Sequence, residues 1–234
     1  GDVVVVKPNI GWDRTVELAA NTHPEVVKAL VQLCLEAGAK QVRIFDRTCN
    51  DERRCYMQSG IRPAVESIRS DRVSIEYIDR RSFKELAIKG GRAFDRWEFY
   101  LPVIEADRLI NVPVAKHHSI SRLTLAMKNL MGVIGGNRGR LHHNIAESLS
   151  DIASVIHSDL TVVDATRILT ANGPQGGRLQ DVRKLDTLIA SPDIVAADAY
   201  ASTLFGLSPE QVPTVVAAAR RGLGVMDLKQ VRMV

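Results

Sequence analysis

The sequence predicts an α/β protein built on a mainly parallel, Rossmann-like sheet with helices on both faces. Three observations predict it. Short runs such as "VVVVK", "QVRIFD" and "LTVVDA" are too apolar for half-exposed strands and read as strands buried on both faces. Segments of helical period separate them. Glycine, proline and asparagine punctuate the junctions, giving the strand–helix–strand alternation of a parallel sheet with right-handed crossovers.

Taken in order, Val3–Lys7 is the first strand, followed by a loop with Pro8, Asn9 and Gly11. "THPEVVKALVQLCLEAGA" is the clearest helix: Thr22 and Glu25 form a capping box, Pro24 lies in the first turn and Gly38 ends it. Val27, Leu30, Val31 and Cys34 make its apolar stripe. "QVRIFD" is a second strand ending at Asp46. Residues 50–100 are richer in arginine and predict one or two short helices and the strand "VSIEYI". "DRLINVP" is a strand stopped by Pro113. "ISRLTLAMKNLMG" has helical spacing, with Ile120, Leu123, Met127 and Leu130 on one face and Ser121, Thr124 and Lys128 on another. "NIAESLSDIASVI" is a helix, "LTVVDA" a strand, "RILTANGPQGGR" a long loop, "DTLIAS" a last strand and "PDIVAADAYASTLFG" a helix. The whole reads as a single α/β unit over 1–234, with a break between two lobes near residues 90–105.

A chain of 234 residues, 45% hydrophobic and 25% charged, can bury a core without disulfides or a metal staple. The net charge is only +4, so a polyanion partner is weakly indicated and anionic metabolites fit equally well. Three cysteines, an odd number, leave a thiol unpaired and point to a reducing, cytoplasmic setting. No apolar run approaches the roughly 18 residues of a membrane span. The chain opens directly on a strand, which points to a processed or truncated start with a segment missing upstream.

Ligands of open α/β sheets bind beyond the carboxyl ends of the strands. Those ends here carry Lys7 and Asn9, Asp46, the cluster Lys116, His117 and His118, and Asp164. Turn preference explains Asn9 and Asp46 individually, but it explains the lysines and histidines poorly. Adjacent histidines on a regular element point apart, so His117–His118 and His142–His143 each offer one inward ring, able to move a proton or hold a metal. His23 and His157 read as helix-terminal residues. Cys49 and Cys55 read as ordinary thiols. "GGNRGR" lacks the lysine of a Walker loop, yet its backbone with Arg138 and Arg140 suits an anion. No aromatic residue interleaves the basic ones between Tyr100 and Tyr200, which argues against nucleic acid.

The motifs "KPNI", "THPEVVKAL", "ADRLINVPVAKHH", "LTLAMKNLMGVIGG", "LHHNIAESLSDI", "NGPQGG" and "DIVAADAYASTLFG" together resemble the domain of unknown function 362 family, whose members are often labelled iron–sulfur centre proteins. The resemblance covers almost the whole chain and implies no particular reaction. The iron–sulfur label belongs to members with a ferredoxin module of closely spaced cysteines. None stands here, so no cluster is expected within this chain, and a ferredoxin-like partner would have to supply one. The chain is more distantly similar to the lactate racemase family, which uses a nickel pincer cofactor. That family has a threonine–basic–proline segment, here "THP", and a histidine, lysine and histidine in series, here His118, Lys128 ten residues on, and His143 fifteen further. This likeness implies His118 as acid/base, Lys128 as a cofactor or anion contact, and His142 or His143 as a metal ligand. Around the lysine, however, the chain reads "LAMKN" where that family is glycine-rich.

The sequence therefore suggests an enzyme acting on a small anionic substrate in a cleft, by proton transfer or with metal or cofactor assistance. His117, His118 and Lys128 would be catalytic, and Lys7, Asn9, Lys116, Asn129, Arg138 and Arg140 would hold the anion. A divalent metal would take its ligands from His142, His143, Asp46 and Asp164. The alternative is a non-enzymatic metal, cofactor or anion carrier on the same residues.

Overall fold

A computed structural model describes residues 1–234. The elements run β1 (Val3–Pro8), α1 (Pro24–Glu36), β2 (Gln41–Ile44), α2 (Glu52–Gln58), α3 (Ile61–Glu66), β3 (Val73–Ile75), β4 (Phe83–Ala87), β5 (Arg96–Tyr100), α4 (Leu101–Ile104), β6 (Arg108–Val112), β7 (Val114–His118), β8 (Arg122–Thr124), α5 (Ala126–Asn129), α6 (Ile145–Ala153), β9 (Leu160–Leu169), β10 (Val182–Ser191), α7 (Ile194–Thr203) and α8 (Pro213–Arg220). The central sheet follows the order β3-β2-β1-β6-β9-β7-β8, with β10 on β9. Pairings among β3, β2, β1, β6 and β9 are parallel, as is β7 with β9; β8 and β10 are antiparallel additions.

The valine run of β1 is uniformly apolar because both its faces are covered. Val4 and Val6 pack with Val27, Val31 and Tyr56 of α1 and α2, whereas Val5 joins the larger core of Met127, Leu130, Leu149 and Val195 on the other face. Each such valine is worth roughly 1.5–3 kcal/mol when fully buried. Beyond the sheet, β4 and β5 form a separate antiparallel hairpin. Its 92–94 loop is pinned to α6 by Asp151, which accepts from the amides of Arg92, Ala93 and Phe94 and pairs with Arg221.

β6 and β7 are one strand interrupted at Pro113. Both lie along the same side of β9, since Ile110 pairs with Leu160 and Val114 with Asp164 at a constant offset. Along their other edge β1 ends at the Pro8–Val112 pair, and β8 begins only at Thr124–Lys116. The edge between is open. Thr22 fills in for the absent strand: its hydroxyl accepts from the Asn9 amide and donates to the Val112 carbonyl, at 2.8 and 2.7 Å.

That role corrects the predicted capping box. Thr22 is committed to the sheet, so the N-cap of α1 is His23, whose Nδ1 accepts from the Glu25 amide. The predicted helix through Ile120–Gly132 is also corrected. His118 Nδ1 accepts from the amides of Ile120 and Ser121, which turns the chain into the β7–β8 hairpin and leaves Ile120 exposed. Helix starts only at Ala126, where the buried Asp198 carboxylate takes the amides of Ala126 and Met127. β9 likewise continues through Arg167–Leu169, shortening the predicted loop, because β10 pairs with it along its whole length.

Candidate functional site

A cleft of about 380 Å³ opens at this gap in the sheet, beyond the carboxyl end of β1. Asn9 sits in the opening and joins the two sides. Its Oδ1 accepts from Lys116 Nζ at 3.0 Å, and its Nδ2 donates to Asn129 Oδ1 at 3.0 Å. The same Asn129 oxygen accepts from Lys7 Nζ, and Asn129 Nδ2 donates to Asn111 Oδ1 and the Lys7 carbonyl. Lys7 completes its set of acceptors with the Pro8 carbonyl and an ion pair to Asp46 Oδ1 at 2.8 Å. Asp46 Oδ2 accepts from the Ile10 amide. Lys7 and Asp46 are both out of water, so the cleft floor is a neutralised, fully oriented network.

The remaining cations are not neutralised. Lys116 is fully buried and bonded to Asn9 and the Ala20 carbonyl; Lys128 has only the Met131 thioether, at 3.2 Å. Neither forms an ion pair. Burial pulls the Lys116 ammonium down to about 7 and Lys128 to about 8, with Lys128 and Lys7 adding repulsion at Lys116 and Arg138 at Lys128. His118 is held down to about 3 by burial, and next by Lys128, so it is neutral. Because its Nδ1 accepts two amides, its proton is on Nε2, and the ring offers the cleft an N–H donor. The His142 ring stacks on it with centroids 6.1 Å apart. His142 Nδ1 lies 3.3 Å from the Gly139 carbonyl, which assigns its proton there and leaves Nε2 as an acceptor. Burial, then Lys128, lowers the His142 pKa.

The structure therefore gathers Lys7, Asn9, Asp46, Lys116, His118, Lys128, Asn129, Arg138 and His142 at one cleft. It does not bring in the others. His117 points from the opposite face of β7, where its Nδ1 accepts from the Gly173 amide. His143 is exposed. Arg140 lies over the rings of Phe94 and Trp97 in a separate cavity. Asp164 is occupied by the His23 amide and by the Thr166 amide and hydroxyl. The four residues expected to ligate a metal thus do not converge, and no three His, Cys, Asp or Glu side chains are grouped to hold one. His118 Nε2, carrying its proton, has no lone pair for a metal either. The residues of this chain do not by themselves fit a divalent metal centre.

Three contributors escaped the sequence reading. Cys49, taken as an ordinary thiol, and Arg47 both line the cleft. Asp198 is a lone acid in the otherwise apolar "IVAADAYA", and that isolation is the signal of a buried capping role. Without a cation beside it, its carboxyl is raised by burial to about 7. Asp198→Asn keeps one acceptor but sets an amide NH2 against the second backbone N–H. A loss of roughly 1–3 kcal/mol is expected, read from urea unfolding, together with weaker ligand binding, since α5 carries Lys128 and Asn129. Unchanged stability would show that Asp198 does not hold the helix start.

Comparison with known proteins fits this architecture. The apoprotein of lactate racemase from Thermoanaerobacterium thermosaccharolyticum superimposes with a TM-score of 0.54 at 10% identity, over 86% of this chain and 48% of that one. The likeness is one of fold, and the chain spans about half of that structure. A thylakoid-associated protein of Synechocystis sp. is 29% identical over 237 aligned positions, covering 95% of this chain and 69% of the relative. No helix here is long and apolar enough to cross a membrane. The family described as Domain of unknown function (DUF362) matches residues 4–203, and the chain belongs to it.

Proposed function

We propose that the protein is an enzyme that binds a small anion in the cleft beside Asn9 and moves a proton on it. Lys128 carries this reading: it is a half-buried ammonium at the cleft wall with no carboxylate beside it, whose one hydrogen-bond partner is a thioether. Partial desolvation without a counter-charge is unfavourable, and a carboxylate or phosphate substrate would supply the missing charge. Lys116, Arg138 and the His118 Nε2–H line the same space and add donors suited to one anionic group.

The roles then divide by protonation. His118, locked as a donor, orients the anion and stabilises charge that develops on it. His142 Nε2 accepts the proton that leaves the substrate. Lys128, lowered by burial to about 8, returns one from its ammonium. The two residues recover their starting forms by exchange with solvent.

The pH dependence tests it. An anion binds the protonated lysines, so affinity for acetate, whose own charge is constant here, should fall as pH rises through about 7 and about 8. The slope reaches about tenfold per pH unit for each ammonium involved. Calorimetric titration across this range measures it; binding that is flat with pH, or absent, overturns the reading. Deuterium uptake from solvent into a panel of small hydroxy and keto acids, lost in His142→Gln, separates an enzyme from a carrier.

A further inference from the structure

Next to the cleft lies a second cavity of about 590 Å³. The two share Asp46, Arg47, Cys49 and Arg138 as lining residues, so they adjoin along this wall. Three guanidinium groups line the second cavity: Arg47, Arg80 and Arg138. None has a carboxylate partner. Two of them are pinned by main-chain carbonyls. Arg47 donates to Ile134 and Gly136, and Arg138 to Arg47, Met131 and Thr48. Each keeps N–H donors unused, because a guanidinium has five. The carboxylates on this wall are otherwise engaged or peripheral: Asp46 faces Lys7, Asp51 caps the Arg54 amide, and Glu52 is exposed at the start of α2. Burial, followed by repulsion from Arg138 and Arg80, pulls Arg47 below its ordinary pKa, consistent with like charges held together.

We infer that the substrate carries two anionic groups, one held by Lys116, Lys128 and His118, the other by Arg47, Arg80 and Arg138. This rests on the anion reading above and names its substrate class: a short molecule with a carboxylate at each end, or a carboxylate and a phosphate. The linking chain passes Cys49, which lines both cavities. Preorganised guanidinium groups suit such a group, since bidentate donors are already in place before it arrives.

Cys49 also provides the readout. It is the exposed thiol of the three, whereas Cys34 and Cys55 are buried. Its alkylation by iodoacetamide should slow as the space fills, giving an apparent affinity for each probe. Malonate, succinate, glutarate and adipate are compared with acetate on the native protein and on Arg80→Ala. Arg80 is exposed, and its side chain takes part in no ion pair of the fold. One of the diacids should bind at least about tenfold tighter than acetate, the gain of one added charge-assisted contact, and Arg80→Ala should abolish that gain while acetate binds as before. A diacid that binds no better than acetate, or a gain that survives Arg80→Ala, overturns the two-headed substrate while leaving the anion site standing. If neither acetate nor any diacid protects Cys49 or gives heat, both readings fall together.

Discussion

Lys7→Met is expected to destabilise the protein by roughly 3–5 kcal/mol, because it strands a buried carboxylate. Asp46 would keep only the Ile10 amide, and Asn129 Oδ1 would lose one of its two donors. Chemical unfolding at neutral pH measures the loss. Gly132→Ala reaches the same pair from outside it. A methyl group at that position would lie 1.6 Å from Asp46 Oδ1 and 2.6 Å from Lys7 Nζ, so the ion pair has to break or the chain has to move. Both variants should therefore lose stability, since each breaks the same buried pair. A Gly132→Ala protein of native stability would mean that the pair can shift without cost, and that the floor of the cleft is not rigid.

Lys128→Met should act in the opposite direction on stability while removing function. The change replaces an ammonium that has no counter-charge with an apolar chain of similar length beside Met131. A gain of up to about 1 kcal/mol at neutral pH is expected, since the ammonium is half-buried and partly screened by solvent. Anion binding should weaken by about a hundredfold or more, as for truncation of a buried charged contact. The native protein shows the same conflict as a pH effect. Burial depresses Lys116 and Lys128 from the ordinary 10.5. The unfolded chain therefore holds more protons between the depressed values and 10.5, and ligand-free stability rises with pH across that window. Affinity for an anion falls over the same window. Melting temperatures with and without acetate should accordingly converge as the pH rises. If Lys128→Met is less stable than the native protein, the lysine is structural and not held in reserve for a ligand.

The strands and the long helices were legible because their signals are local: β1 and β9 are apolar on both faces, and α1 has proline at its start and glycine after its end. Their carboxyl ends also located the cleft, since Lys7, Asn9 and Lys116 meet there. What sequence could not supply was the competition for polar side chains. Thr22 satisfies the pattern of a helix cap, yet a break in the sheet 90 residues away along the chain takes its hydroxyl. The spacing of Ile120, Leu123 and Met127 is helical, but His118 captures the amides that a helix would have used. The same bonds fix which nitrogen of His118 carries the proton, so its ring faces the cleft as a hydrogen-bond donor. Asp164 looked available until its oxygens met His23 and Thr166. Such choices depend on contacts distant in sequence, and a single chain gives no sign of which partner wins.

The open edge between β1 and β8 makes a complete sheet and a cleft at this place mutually exclusive. Strand pairing carried from Asn9 across to Thr124 would satisfy the backbone with main-chain donors and fill the space the cleft occupies. A single hydroxyl lets the fold stop short of that. Thr22→Val, similar in shape but without the oxygen, would leave the Asn9 amide and the Val112 carbonyl without this partner. The place of the cleft is thus decided by which polymer geometry the backbone completes, before any charged side chain is added to it.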